Sequence, residues 1–187
     1  MKFAPNQLYH IYNRGNNRQP IFFEEENYEF FLKKVSNELN PFADILGYCL
    51  MPNHYHVLIC TKENNEQNFG LTLSRKIGTV QSSYTRAINK RFGWTGSVFQ
   101  QRAKAKCVES YGYVCLNYIH QNPLKAGLCS TIEEWEFSSY LSYAGLTHEV
   151  IVNLKLAFER MDLPTDKTRF KCFTLNSIDG ADTSRIL

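Results

Sequence analysis

Apolar residues recur along the chain at two spacings, which predict four strands and three helices within the first 121 residues. Short runs rich in aromatic and β-branched residues predict the strands. They cover residues 7–13, 43–50, 55–61 and 97–108. Apolar residues three or four positions apart predict the helices. These cover residues 24–39, 68–92 and 110–121.

Turn-forming and helix-ending residues separate these elements. Pro52 lacks the N–H that a central strand needs, and it lies in a tight link between the second and third strands. Ser110 is expected to cap the last of the three helices, and Asn122 with Pro123 to end it. Five residues form the predicted inner face of the long helix: Leu71, Ile77, Val80, Tyr84 and Ile88.

The order of the elements is strand, helix, strand, strand, helix, strand, helix. This is a split β-α-β arrangement, so we expect an α+β protein with a ferredoxin-like antiparallel sheet and helices on one face. The last of the three helices, over residues 110–121, would follow the sheet as a C-terminal helix that carries Tyr118. Another helix is expected near residues 150–161, and the rest of the tail has no assigned structure.

Composition places the chain among folded, soluble proteins. Its 187 residues are 43% hydrophobic, and no apolar stretch approaches the roughly 20 residues that span a bilayer. The N-terminus lacks the apolar segment of a secretory signal. The six cysteines contain no Cys-x-x-Cys pair and are interpreted as reduced thiols. We therefore expect a cytoplasmic protein.

Basic residues are concentrated in one part of the chain. Residues 67–108 contain no Asp or Glu and eight Lys or Arg, so with a net charge of +3 overall the remainder carries 3 − 8 = −5. A basic surface on an otherwise acidic chain suits a polyanion such as nucleic acid. The alternative is a solvated helix face whose charges are balanced elsewhere in the fold.

Two histidines, His54 and His56, lie two residues apart in a predicted strand. Side chains at i and i+2 leave the same face of a strand, so the two imidazoles would project side by side. Two neutral imidazoles form half of a divalent-metal site. A pair of packed or surface histidines remains the alternative interpretation.

Tyr118 and Asn122 are four residues apart in a predicted helix and therefore share a face. If this helix lies against the two histidines, Asn122 could offer its amide oxygen as a third ligand, and Tyr118 could attack a phosphate bound to the metal. Mg²⁺ or Mn²⁺ would suit such a mixed shell. Tyr111 and Tyr113 compete with Tyr118 for this role.

Four segments in combination resemble a known family. They are YHIYNRG at residues 9–15, LMPNHYHVL at 50–58, YIHQNPLKAGL at 118–128 and EWEFSSY at 134–140. Together they resemble the single-tyrosine HUH transposases of bacterial insertion sequences. The closer similarity is to the branch called REP-associated tyrosine transposases. The resemblance extends over about residues 7–145.

The resemblance implies a ferredoxin-like fold, a metal held by His54 and His56, and Tyr118 as the nucleophile that cuts single-stranded DNA beside a hairpin. Asn122 falls where the family has a third polar ligand. Tyr55 is bulkier than the aliphatic residue usual at the centre of the motif. Residues 1–146 would then form the catalytic domain, and residues 147–187 an extension of unknown role.

The resemblance also gives the basic residues a use as DNA contacts. The candidates are Arg14, Arg18, Arg75, Lys76, Arg86, Lys90, Arg91, Arg102, Lys104 and Lys106. Trp94 and Phe99 could stack on unpaired bases, although core packing is the alternative for Phe99.

Three functions remain open at this point. The first is a metal-dependent DNA strand transferase that forms a covalent phosphotyrosine–DNA intermediate. The second is a nuclease in which the metal activates water, and the third is a catalytically silent nucleic-acid-binding module. The expected partner is hairpin-bearing single-stranded DNA, and the protein would act as a monomer or a homodimer.

Overall fold

A four-stranded antiparallel sheet with the strand order β2-β3-β1-β4 forms the centre of the computed structural model, which describes residues 2–64, 66–147, 151–176, 178 and 186. Its strands are β1 (Leu8–Arg14), β2 (Ala43–Met51), β3 (His54–Thr61) and β4 (Lys104–Cys107). This order and the two helices that connect the strands confirm the predicted α+β, ferredoxin-like fold.

Two long helices, α1 (Glu25–Leu39) and α2 (Phe69–Phe92), cover one face of the sheet. The face is apolar because alternate residues of the central strands point toward these helices. Phe31 of α1, for example, packs on Tyr55 of β3 with ring centroids 4.7 Å apart. Burial of these side chains holds the layers together.

The helix that carries Tyr118, α3 (Gly112–Lys125), lies across the other face of the sheet. In the part of the C-terminal region that the structure describes, three shorter helices follow it: α4 (Tyr140–Ala144), α5 (Leu154–Met161) and α6 (Lys167–Leu175). Within the described ranges, none of the helices combines the length and the apolar character that a membrane crossing requires.

The extension packs on the rest of the chain. Ala157 and Phe170 are buried in the same hydrophobic core as the sheet. Asn117 of α3 donates from Nδ2 to the Phe173 carbonyl of α6 at 3.0 Å, and Gln121 Nε2 donates to the carbonyl of Asn176 at 2.9 Å. The helix with Tyr118 is therefore held between the sheet and the extension. The proposed boundary near residue 146 stays a prediction.

Four local predictions were wrong. The fourth strand covers only residues 104–107, because residues 97–103 run irregularly against α2, where Gln81 Oε1 accepts from the Ala103 N–H at 3.0 Å. Leu71 is 53% exposed, and Leu73 takes its place on the buried face of α2. Ser110 lies in a short 3₁₀ turn rather than capping α3, and Pro123 lies inside that helix.

Candidate metal and nucleophile site

The pairing of β1 with β3 determines which side chains share the face beneath α3. Tyr12 lies directly opposite His56, and Arg14 lies opposite His54. Directly paired residues point to the same side of a sheet. The rings of His54 and His56 are 5.0 Å apart between centroids and nearly perpendicular, at 86°. The predicted side-by-side projection of the two imidazoles is therefore present.

His54 is held by the turn that precedes β3. Its Nδ1 lies 2.6 Å from Asn53 Oδ1, and Asn53 Nδ2 in turn donates to the Arg18 carbonyl at 3.2 Å. Because Asn53 uses its amide nitrogen on Arg18, its oxygen must accept, and His54 carries its proton on Nδ1. The Nε2 lone pair of His54 is then available to a ligand.

His56 is almost fully buried, with 3% of its surface exposed. Its Nδ1 lies 2.9 Å from Nε2 of His10, while its own Nε2 has no hydrogen-bond partner among the described residues. A buried polar atom without a partner is costly in a folded protein and calls for an explanation. A metal ion bound at His56 Nε2 would supply the missing interaction.

Both imidazoles are neutral at physiological pH. Burial, with a smaller contribution from the Arg14 charge, lowers the pKa of His54 to about 4. Burial lowers the pKa of His56 well below its usual range, and the neighbouring histidines lower it further. Neutral imidazole is the form that binds a metal, so both rings are ready to act as ligands.

Tyr118 is brought to the two histidines by α3. Its ring centroid is 5.4 Å from that of His56, and it lines the same cavity as His54 and His56. Burial raises the pKa of Tyr118, although a hydrogen bond with the Asn122 side chain opposes the shift. Tyr113 of the same helix instead lies 45% exposed against Phe173.

Asn122 shares the α3 face with Tyr118 but uses its amide nitrogen locally. Its Nδ2 donates to the Tyr118 carbonyl at 2.9 Å, one turn earlier in the helix. Asn122 does not line the cavity around the histidines, as far as the described residues show. Its role as a third ligand therefore remains a prediction.

The cavity at the histidines has a volume of about 410 Å³. Every residue that lines it carries a polar or charged group, and three of the side chains are cationic: Arg14, Arg18 and Lys104. Such a concave, basic site beside two neutral imidazoles suits a phosphate group together with its cation. Among the described residues, no three His, Cys, Asp or Glu side chains are grouped closely enough to hold a metal. If the two histidines bind a metal, a substrate oxygen or an amide would have to complete its ligand shell.

A second and larger cavity, of about 1000 Å³, runs along α2. It is lined by Arg75, Arg86 and Arg102. Two other candidate DNA contacts are engaged in ion pairs: Lys76 with Glu38 at 3.0 Å and Arg91 with Glu24 at 3.1 Å. We call the surface of Arg75, Arg86 and Arg102 the α2 groove.

The remaining candidates lie outside both cavities. Lys106 is on β4 directly opposite His10, and Lys90 is in the last turn of α2. Trp94 is 48% exposed and stacks on Phe92 at 4.8 Å, so its outer surface is free to meet a base. Phe99 is buried against Tyr84 and is a core residue.

Sequence reasoning missed His10, which had no evident partner. The structure corrects this, since His10 is fully buried, bonded to His56 and stacked on Tyr12 at 4.8 Å. The available signal was strand alternation, which puts His10 on the same face as Tyr12. His148 lies outside the described residues.

The sequence and the fold of this chain are similar to those of known proteins. Residues 4–122 match the family described as "Transposase IS200 like". A curated Haemophilus influenzae protein, named as a REP-associated tyrosine transposase, is 24% identical over 118 residues, which are 57% of this chain and 64% of that protein. This chain thus matches less than two thirds of that relative's length.

A solved structure shows the same fold. It is that of a REP-associated tyrosine transposase bound to a REP hairpin, and it aligns with a TM-score of 0.61 and 15% identity. The alignment covers 81% of this chain and 87% of that one. Both relatives carry the name of the branch that the sequence motifs resemble. The family match covers well over half of the chain, which therefore belongs to the IS200-like transposases.

Proposed function

We propose that this protein is a metal-dependent endonuclease and strand transferase that acts on single-stranded DNA near hairpins through a covalent phosphotyrosine–DNA intermediate. The observation that carries the proposal is the meeting of Tyr118 with His56 and His54 in one basic cavity. The name of the solved relative, bound to a REP hairpin, supports DNA of that kind as the partner.

In this proposal His54 and His56 hold Mg²⁺ or Mn²⁺ through their free Nε2 atoms. Asn122 is the candidate for a third ligand through its amide oxygen, since its Nδ2 is the atom that donates to the Tyr118 carbonyl. When bound, the cation polarises the phosphate and offsets the negative charge that develops during displacement at phosphorus.

Tyr118 is the nucleophile. Its phenolic oxygen attacks the phosphorus in line, an O–P bond to the tyrosine forms, and the bond from phosphorus to the departing sugar oxygen breaks. The departing sugar oxygen takes up a proton from solvent and becomes a free hydroxyl, and the phenolic proton is released to solvent. The phosphotyrosine bond preserves the energy needed for rejoining, so no nucleotide cofactor is required.

The buried setting of Tyr118 has a chemical consequence. Burial raises its pKa, so the phenol is protonated and weakly nucleophilic. Positive charge close to the phenolic oxygen would favour the phenolate. Arg14, Arg18 and Lys104 line the same cavity and supply positive charge there. They also attract the phosphate backbone, whereas the α2 groove would hold the DNA farther from the cut.

The test is adduct formation with hairpin-bearing single-stranded DNA, read on a denaturing gel. With Mg²⁺ or Mn²⁺, the wild-type protein should give a slowly migrating protein–DNA adduct that a chelator prevents. Tyr118→Phe should give none while it binds the DNA nearly as well as wild type.

Tyr113→Phe is the matched control, because it removes a hydroxyl from the same helix outside the cavity and should leave adduct formation intact. Adducts at normal levels from Tyr118→Phe would refute the proposed nucleophile. Metal-dependent cleavage without any adduct would show a nuclease that uses water. Binding with neither cleavage nor adduct would show a silent binding module.

A further inference from the structure

We propose that His10 is a positioning residue of this site: together with the Ile186 carbonyl, it fixes the tautomer of His56 that leaves Nε2 free for a metal. The metal-binding part of this inference rests on the proposed function. The tautomer itself is a property of the metal-free protein.

Two hydrogen-bonded atom pairs form a continuous chain from the extension to the site. The Ile186 carbonyl oxygen lies 3.1 Å from His10 Nδ1, and His10 Nε2 lies 2.9 Å from His56 Nδ1. The chain ends at His56 Nε2, which has no partner among the described residues. We call this chain the histidine relay.

The carbonyl determines the direction of every bond in the histidine relay. A carbonyl oxygen can only accept, so His10 Nδ1 must carry the proton. A neutral imidazole has one N–H, which leaves a lone pair on His10 Nε2. His56 must then donate from Nδ1, and its own lone pair is left on Nε2. The opposite assignment would bring the His10 Nδ1 lone pair against the carbonyl oxygen.

Burial keeps both rings in their neutral forms. His10 is 0% exposed and His56 3% exposed. Desolvation lowers the pKa of His10 to about 4, with a further small lowering by the Lys106 charge, while the Ile186 carbonyl opposes the shift. Tyr12 and Tyr118 also contact the His10 ring. None of these neighbours carries a negative charge that would favour imidazolium.

A second buried histidine shows what such a ring does without a relay. His120 is also 0% exposed, and its Nε2 lies 2.8 Å from the Ser139 hydroxyl. Its Nδ1 has no described partner, but the ring is surrounded by Tyr140, Tyr143 and Phe170 rather than by a cavity. Among the histidines that the structure describes, His56 alone combines a partner chain directed by a carbonyl with a free nitrogen beside the nucleophile.

The histidine relay also gives the extension a role at the site. Ile186 lies in residues 147–187, and its side chain is fully buried. A partner behind a ligating histidine fixes the ring and increases its basicity, and removal of such a partner typically costs 10- to 100-fold in metal affinity. The extension would thus tune a ligand that it does not touch.

The first experiment measures histidine tautomers in the metal-free, full-length protein. Long-range ¹H–¹⁵N correlation spectra separate protonated from unprotonated ring nitrogens. We expect the proton on Nδ1 and the lone pair on Nε2 for both His10 and His56. A proton on His56 Nε2, or an averaged mixture of tautomers, would overturn the inference.

The second experiment measures Mn²⁺ affinity by titration calorimetry in full-length variants. His10→Leu removes both hydrogen bonds and should weaken Mn²⁺ binding roughly 10- to 100-fold. His10→Gln offers an amide oxygen to His56 Nδ1 and should restore most of the affinity. His120→Gln, the control for loss of a buried imidazole elsewhere, should bind as wild type. Unchanged Mn²⁺ binding by His10→Leu would refute the role of His10.

The inference and the proposed function can fail separately. DNA adducts in the wild-type protein together with the wrong His56 tautomer would reject the histidine relay and keep the strand transferase. The predicted tautomers without any adduct would keep the positioning role of His10 and reject the strand transferase.

Discussion

The two faces of the central sheet are built from alternate residues of the same two strands, yet they bury different chemistry. On one face Ile11 pairs with Val57 beneath α1 and α2. One residue further along, Tyr12 pairs with His56 beneath α3. Both faces are covered by helices, and in the part of the chain that the structure describes the second face borders a cavity whose lining residues all carry polar or charged groups.

This difference between the two faces separates residues that stabilise the fold from residues that could bind a ligand. An apolar face is stabilised by burial alone, with no directional requirements. Buried imidazoles need hydrogen-bond partners, and on the α3 face those partners fix which nitrogen remains free. Changes on one face should therefore alter folding and leave metal binding intact, whereas changes on the other should do the reverse.

The strongest expected effect comes from His54→Ala. Loss of a direct ligand should weaken Mn²⁺ binding more than roughly 100-fold, since even a partner behind a ligand is worth 10- to 100-fold. DNA adducts should disappear with it. Because His54 is only partly buried, the free energy of unfolding should change little. Calorimetry with Mn²⁺ and a urea titration measure the two quantities.

Phe31→Ala should give the opposite result. Phe31 is 0% exposed and packs on Tyr55, so truncation should cost about 3–5 kcal/mol of unfolding free energy. Metal affinity of the folded fraction should stay close to wild type. If Phe31→Ala lowered Mn²⁺ affinity as strongly as His54→Ala, the proposed separation of the two faces would be wrong.

Acid should reveal the cost of the buried histidines. The pKa of His10 is lowered to about 4 and that of His120 to about 3, both by burial. As the pH falls, these histidines are therefore protonated in the unfolded chain before they are protonated in the folded protein. Their contribution to the free energy of unfolding is fully present above about pH 6.5 and is lost as the pH falls toward their pKa values in the folded protein. Each buried imidazole lowers the free energy of unfolding by up to about 1.4 kcal/mol per pH unit in that range.

Urea titrations at pH 7, 6 and 5 measure this slope. His120→Gln should reduce this slope by the contribution of one buried histidine. His10→Gln, on the α3 face, should reduce it by a similar amount. A free energy of unfolding that is constant from pH 7 to pH 5 would show that these rings are not buried and neutral.

The smallest effect is expected outside both faces, in the α2 groove. Arg75→Gln should weaken DNA binding for all sequences and lower the salt dependence of log K by about 0.7, the value for one phosphate contact on a single strand. Lys76→Gln is the matched control, because Lys76 is paired with Glu38. Fluorescence anisotropy over a range of salt concentrations tests this, and equal effects of the two changes would exclude a specific role for the groove.

Most of the fold could be predicted from the sequence because its signals are local. Strand alternation and helical spacing predicted β1, β2, β3, α1 and α2 to within about two residues. The fourth strand was predicted too long because residues 97–103 run irregularly. They hydrogen-bond to Gln81 of α2 and to Arg14 at the end of β1, and they do not form a full ladder. No local sequence pattern indicates which distant segment will form hydrogen bonds with these residues.

The candidate site, too, could be predicted only in part from the sequence. The motif residues His54, His56 and Tyr118 were all identified from the sequence, and the structure brings them to one cavity. The sequence did not reveal that Asn122 uses its amide nitrogen on the Tyr118 carbonyl. It also left His10 without a partner, because His56 and Ile186 are 46 and 176 residues away from it.

By itself the sequence determined the fold class, the family resemblance and the paired histidines, because periodicity and short motifs act over a few residues. Only the tertiary structure decided which tyrosine reaches the histidines and which nitrogen of His56 stays free. Those outcomes depend on hydrogen bonds and packing between segments far apart in the chain, and no spacing within one segment encodes them.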